Sequence, residues 1–331
     1  MILGLQGSYW EGGAGSVAGR GSPVTPKLGE WDGLAALEPL ALTSPREWVS
    51  FRARRGPLVF PLCQEASLAM VRAMKFSLAL IFLALQALQT GAFAGNSVVN
   101  LSHYDLMRPD FVRMREQGIV GIIHEASYPR YVMDEKYAER QHAAVGAGLL
   151  WGAYHFADAS SPVRQADHFL SVVESSWRRA RLGGRPNEVL LVLDFEKNGH
   201  YPGGTMGVEQ AAQFVERIRE RTGRYPGLYG SEYRLQRIFS APSVRAADRA
   251  VLSRCWLWVA NYHHLPGPVP PWSGWRMWQY TGDGVCELPR ASYPTSIANI
   301  RKAERNMFRG DTSALREFWQ ANGWQPGLAA E

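Results

Sequence analysis

The chain has 331 residues, of which 46% are hydrophobic and 20% charged, with a formal net charge of +6. This excludes wholesale disorder, and the mildly basic balance suits an anionic polymer such as cell wall without demanding one. Three cysteines exclude a disulfide scaffold and a Cys₄ zinc site.

Residues 74–94 read MKFSLALIFLALQALQTGAFA. Lys75, with Arg72 before it, supplies a positive start, Phe76 to Leu88 is apolar, and Ala92-Phe93-Ala94 is a small-residue cleavage site. The expectation is a signal peptide over 70–94, an upstream extension with no working role over 1–69, and an exported product beginning near Gly95. After its removal no membrane-spanning segment is expected.

From Gly95 onward apolar runs alternate with helical patterns. Strands are predicted at Ser97–Leu101, Val120–His124, Leu150–Phe156, Val189–Glu196, Pro226–Tyr229, Leu257–Asn261 and Arg276–Tyr280. Helices are predicted at Pro109–Gln117, Tyr137–Ala147, Val163–Trp177 and Val208–Thr222, three of them stopped by Gly118, Gly148 and Gly223. Strand–helix alternation implies βαβ units, and fully apolar strands imply burial on both faces, as in a barrel. Polar residues gather at the strand C-terminal ends: His103, His155, Asp194, Glu196, Tyr229, Tyr262 and Gln279. In a barrel that rim carries the chemistry.

The run Leu190-Leu-Val-Leu-Asp194-Phe-Glu196 is the sharpest feature. Residues i and i+2 of a strand share a face, so both carboxylates point the same way. Close carboxylates cannot ionise independently; one keeps its proton and can serve as a general acid. The bland alternative is one acid capping the turn and the other pairing with Lys197.

Tyr104, Tyr154, Tyr229, Tyr262, Trp278 and Tyr280 are candidates for a sugar-stacking groove, Tyr154 and Tyr229 foremost. His155 is a candidate for orienting the acids. Arg178, Arg179, Arg181 and Arg185, and again Arg301, Lys302 and Arg305, read as solvated helix faces, so no nucleic-acid partner is expected. Trp272, Trp275 and Trp278, among Pro268, Pro270 and Pro271, read as a rigid loop against the barrel. Cys255 and Cys286 are expected at opposite barrel ends, too far apart to bridge.

Several stretches carry a family likeness together: Asn100-Leu-Ser102-His103-Tyr104, Gly152-Ala-Tyr154-His155-Phe156, Gln165-Ala-Asp-His-Phe169, the Asp194-Phe-Glu196 pair, Thr222-Gly-Arg-Tyr-Pro226-Gly-Leu-Tyr229, Leu257-Trp258-Val-Ala260-Asn-Tyr262, Trp278-Gln279-Tyr280-Thr281 and Arg305-Asn306-Met-Phe308. In this order they resemble the family 25 glycoside hydrolases, the lysozymes of the Chalaropsis type, over about residues 98–320. The resemblance implies an α/β fold, an irregular TIM-like (β/α)5(β)3 barrel over 95–331 in one domain. It implies cleavage of the β-1,4 bond between N-acetylmuramic acid and N-acetylglucosamine in peptidoglycan, by a monomer without metal or cofactor. Glu196 then stands at the general acid and Asp194 at the carboxylate that steers the substrate's acetamido group. Asn100, Tyr104, Tyr154, His155, Tyr229, Tyr262, Gln279 and Glu304 stand around them as substrate-binding residues.

Three departures stand out. Asn100 occupies the place of an Asp, Glu304 lengthens another Asp, and Ser127 replaces a strand-two acid. Glu125 could inherit that role, but simple alternation turns it to the opposite face. Fewer nearby acids are expected to raise the Glu196 pKa less. The alternative function is therefore a weakened barrel that binds wall glycan.

Overall fold

The computed structural model describes residues 94–179 and 188–326. The expected extension and signal peptide lie outside the described residues, apart from Ala94, which opens the first strand. Among the described residues no helix is long and apolar enough to cross a membrane.

The run Val189–Asp194 (β5) is buried at all six positions, because it contacts the barrel interior on one face and helices on the other. Around it stand β1 (Ala94–Leu101), β2 (Gly121–Tyr128), β4 (Leu150–Phe156), β6 (Gly227–Ser231), β7 (Trp256–Ala260), β8 (Met277–Thr281) and β9 (Glu304–Phe308). The order β1-β9-β8-β7-β6-β5-β4-β2 closes through a β1–β2 pairing, giving an eight-stranded barrel, and the short β3 (Val132–Met133) hangs on β2. Within the barrel all neighbours run parallel except β9, which is antiparallel to both β1 and β8; β3 is antiparallel to β2.

The helices are α1 (Phe111–Glu116), α2 (Tyr137–Gly146), α3 (Pro162–Arg179), α4 (Val208–Thr222), α5 (Glu232–Phe239), α6 (Ala246–Leu252) and α7 (Thr312–Asn322). Five β/α steps followed by β7, β8 and β9 make the irregular (β/α)5(β)3 barrel that the sequence implied. Asp110 and Asp311 start α1 and α7 by accepting hydrogen bonds from the backbone N–H groups of Arg113 and Ala314. Gly223 ends α4 at φ +73°, a left-handed conformation that suits a residue without Cβ.

Alternation along each strand divides the core in two. Val98, Ile123, Leu190, Val192, Trp258 and Met277 fill the barrel. Val99, Ile122, Trp151, Leu191, Leu193 and Leu228 face outward onto Phe169, Phe214 and Ile218 of the helices. The helix α7 closes the bottom: Trp319 enters the interior cluster and donates from Nε1 to the carbonyl of Trp151 at 2.9 Å. A Cβ on Gly121 would stand 2.7 Å from the Trp319 ring, so this strand start needs glycine for the plug to seat. Asp194 and Glu196 lie at the opposite, C-terminal rim.

Four expectations need correction. Arg305 is no solvated helix residue; it sits buried on β9 with Nη1 donating to the Ser296 carbonyl at 2.7 Å. Trp278 and Tyr280 face outward from β8, where their polar atoms bind the carbonyls of Asn261 and Pro294, so neither lines a groove. Strand β2 runs four residues past His124 because Ser127 and Tyr128 pair with β3. Glu125 keeps the inward parity of Ile123 and pairs with Tyr154, so the expectation that alternation turns it away fails; the register slip between Glu125 and Ser127 instead sets Ser127 opposite the outward His155. Cys255 and Cys286 are free and buried.

Candidate active site

The last residue of β5 is Asp194, and Glu196 lies two residues on. The extended backbone continues past the strand, because the Phe195 N–H still donates to the Tyr229 carbonyl at 2.9 Å. Asp194 is 7% exposed, and its Oδ1 is buried with no hydrogen-bond partner in the protein. An acceptor left open in so dry a place is costly unless a ligand or a proton satisfies it.

Both carboxyls are pushed toward their neutral forms. Glu196 is raised to about 7, by burial first, with Arg234 opposing and Asp283 adding to the rise. Asp194 is held well above the usual carboxylate range by burial, then by Glu196, Glu125 and Glu304. The pair thus keeps at least one proton at neutral pH and titrates as a unit. Loss of flanking acids does not disarm Glu196, since burial and not neighbouring charge is the leading cause.

Arg234 belongs to the first turn of α5, directly after β6. Its Nε donates to the Phe195 carbonyl at 3.3 Å, and its guanidinium lies 5.3 Å from the Phe195 ring centre. It is thus anchored on Phe195, the residue between the two acids in sequence, and moderates both in charge. Sequence reasoning passed over it, although a basic residue just past a barrel strand was a usable signal. Asp283, just past β8, was missed in the same way. Gly282 beside it is dictated by contact: a Cβ there would stand 2.3 Å from the Tyr262 hydroxyl.

A polar network crosses the barrel beside the acids. Gln279 Oε1 accepts from the hydroxyls of Tyr229 and Tyr262, while its Nε2 donates to Asn100 Oδ1 at 3.2 Å and Glu304 Oε2 at 3.1 Å. Asn100 Nδ2 also donates to Glu304 Oε2. Asn306 completes the set, donating to Asn100 Oδ1 at 2.9 Å and accepting from Trp258 Nε1 at 2.8 Å. Burial raises the Glu304 pKa well above normal, with Asp105 and Asp283 adding to it, and the Asn100 hydrogen bond opposing it. The two departures are thus matched: the amide of Asn100 is the donor that the longer Glu304 reaches.

This matching makes Asn100→Asp a poor repair. A second buried carboxylate would replace a donor with a repelling acceptor, and its pKa would be raised in the folded state. A carboxyl with a raised folded pKa costs no stability below its unfolded pKa of about 4 and an increasing amount above it. Asn100→Asp is expected to lose roughly 3 kcal/mol at pH 7 and almost nothing at pH 3, read from urea unfolding at both pH values.

Tyr154 and Tyr229 point into the barrel beside the acids, as the sequence proposed. Tyr262 joins them through Gln279. Tyr104 stands 38% exposed and shares a 2.6 Å hydroxyl hydrogen bond with Tyr201, an aromatic residue that sequence reasoning missed. His155 is not with the acids. It lies on the outer face of β4, stacked on Phe214 at 5.6 Å, with Nδ1 accepting from Ser127 and Nε2 donating to Gln165. It is neutral, its pKa lowered by burial to about 4. Ser127 faces the same outer layer, whereas Glu125 pairs with Tyr154 and is one of the charges felt by Asp194.

A closed, mostly parallel barrel with two close carboxyls at its C-terminal rim is an architecture that suits a barrel hydrolase. The family model for glycosyl hydrolases family 25 matches residues 99–287, and the chain belongs to that family, a glycoside hydrolase of the lysozyme class. It is similar to the bacterial lysozyme from Streptomyces coelicolor at 23% identity and TM-score 0.53, covering 69% of this chain and 99% of that one, a likeness of fold. Muramidases from Trichobolus zukalii (22% identity, TM-score 0.49) and Acremonium alcalophilum (23%, 0.49) also match, each over 67% of this chain and 98% of theirs. No curated protein matches.

Proposed function

We propose that the protein is an exported N-acetylmuramidase that cuts the β-1,4 bond between N-acetylmuramic acid and N-acetylglucosamine, with Glu196 as general acid. The observation that carries this reading is the pair of buried Asp194 and half-buried Glu196, with Glu196 raised to about 7. A general acid with that pKa is half protonated at neutral pH and still a strong enough donor to leave with a glycosidic oxygen. Asp194 takes the N–H of the substrate's 2-acetamido group on its open Oδ1, turning the acetamido oxygen toward the anomeric carbon. That oxygen forms the new bond as the glycosidic C–O bond breaks and Glu196 delivers its proton to the departing oxygen. Tyr154, Tyr229 and Tyr262 wall the sugar, and Gln279, Asn100 and Glu304 fix those walls. The 74–94 segment supports export.

Digesting purified peptidoglycan and weighing the released fragments tests the reading. Muramic acid at the new reducing ends supports it; N-acetylglucosamine ends, or chitin cut as readily, would sink it. The second reading, a glycan-binding barrel, is favoured by one observation: Asn100 and Glu304 are satisfied by each other, as packing residues are. Binding without release of any fragment would select it.

Arg234 supplies a further check. It lowers the proton affinity of both acids, so Arg234→Met is expected to move the alkaline limb of kcat above its wild-type position near 7. An unmoved limb in the pH–rate profile would remove Arg234 from the site's electrostatics.

A further inference from the structure

Three donors converge beside the acid pair from separate parts of the chain: His103 after β1, Glu125 on β2, and Asp134 just past β3. One ligand atom from each lies within 4.8 Å of the others. Glu125 is 2% exposed and Asp134 is 1% exposed. The backbone brings them together through the β2–β3 hairpin, where the Asp134 N–H donates to the Ala126 carbonyl at 3.0 Å.

Lys136 and Arg140 contribute positive charge nearby, but their hydrogen bonds go to backbone carbonyls and His124, not to the carboxylates of the cluster. Asp134 Oδ1 accepts from the Lys136 backbone N–H at 2.8 Å, but its Oδ2 is buried without a hydrogen-bond partner. The adjacent His124 does not serve it. His124 Nδ1 donates to the Glu125 carbonyl at 2.7 Å and stands 3.6 Å from Asp134 Oδ2, beyond hydrogen-bond distance, while its Nε2 accepts from Arg140 at 3.0 Å. Lys136 Nζ is spent on the carbonyls of His103 and Asp105, and Arg140 on those of Ser102, Asp105 and Met107. Of the two buried carboxylates, Glu125 is hydrogen-bonded directly to His103 Nδ1, and Asp134 Oδ2 is left without a partner. Such an arrangement is stable only with a proton or a cation to share.

We propose that His103, Glu125 and Asp134 hold a divalent transition-metal cation of the zinc type. One imidazole nitrogen and two carboxylate oxygens match a borderline cation, whereas calcium and magnesium want six or more oxygens. Three protein donors leave a fourth place for water, and the His103 side chain, 21% exposed, opens the site to solvent. The outer partners are present as well. His103 Nδ1 is the nitrogen that faces Glu125, its Nε2 lies 3.2 Å from the Tyr201 hydroxyl, and Tyr128 stacks on the ring at 4.6 Å. The proposal does not depend on the muramidase reading.

The test uses the full chain, free of any affinity tag and stripped with chelator. Titration with Zn²⁺, followed by dialysis and elemental analysis, is expected to give one bound equivalent, and Co²⁺ is expected to give visible d–d absorption. His103→Gln and Asp134→Asn should each weaken binding by at least about ten-fold, with the Co²⁺ bands lost in His103→Gln. His103 is partly exposed, so His103→Gln is expected to keep the wild-type melting transition before metal is added. No stoichiometric zinc in the wild type, zinc retained unchanged by a folded His103→Gln variant, or magnesium and calcium bound as tightly as zinc would each overturn the assignment.

Discussion

Glu196→Gln is expected to lower kcat on peptidoglycan by about 10³-fold while leaving KM within a few-fold. The amide keeps the shape of the carboxyl and can still meet a glycosidic oxygen, but it has no proton to give. The effect is large because leaving-group protonation is needed only in the transition state, so its loss falls on kcat. Burial is what makes Glu196 a proton carrier near neutral pH, and burial survives the substitution. Stability should therefore hold or rise slightly, since a carboxyl with a raised folded pKa costs stability above its unfolded pKa. The measurement is initial release of reducing ends, with unfolding curves alongside. A loss under ten-fold would take the acid's role away from Glu196.

What the sequence made legible follows from where the apolar residues fall. The β5 run is apolar on both faces, so its place as a buried strand could be read directly, and the acids at its end followed. Helices α3 and α4 are 18 and 15 residues long, enough to show their period. Strand β9 was hidden because its inward residues are Glu304 and Asn306, polar by function, and its outward Arg305 mimics a solvated face. Helices α5 and α6, eight and seven residues long, offer barely two turns of pattern.

The site was legible to the same extent. Residues on regular strands, Asp194, Tyr154, Tyr229 and Gln279, could be placed by alternation. Glu125 shares the inward parity of Ile123 and could have been placed the same way; Ser127 could not, because the register slip that follows Glu125 turns it outward and no local residue pattern announces that slip. His155 fell the other way: it ends a strand at the rim, but on the outward parity. Arg234, Asp283 and Tyr201 reach the site from loops or a helix start, where sequence distance says nothing about spatial distance. The triad of His103, Glu125 and Asp134 was invisible for that reason too.

Asp194→Asn is expected to cost about 10²–10³-fold in kcat, again with little change in KM. The reasoning starts from the shared proton. In the free protein both carboxyls are raised, and Asp194 feels Glu196 directly. When the acetamido N–H donates to Asp194, it favours the ionised form there, which leaves the proton on Glu196 where the reaction needs it. An ionised Asp194 then faces the positive charge that develops as the acetamido oxygen bonds to the anomeric carbon. Asparagine accepts the same N–H but supplies no charge and cannot direct the proton. It also removes the mutual repulsion, so the alkaline limb of kcat should move to lower pH. Because the two carboxyls act as one unit, the double variant should be no slower than Glu196→Gln alone, within a few-fold. Multiplicative losses in that double variant, measured on the same substrate at pH 5 and pH 7, would mean that Asp194 and Glu196 work independently and that no proton is shared between them.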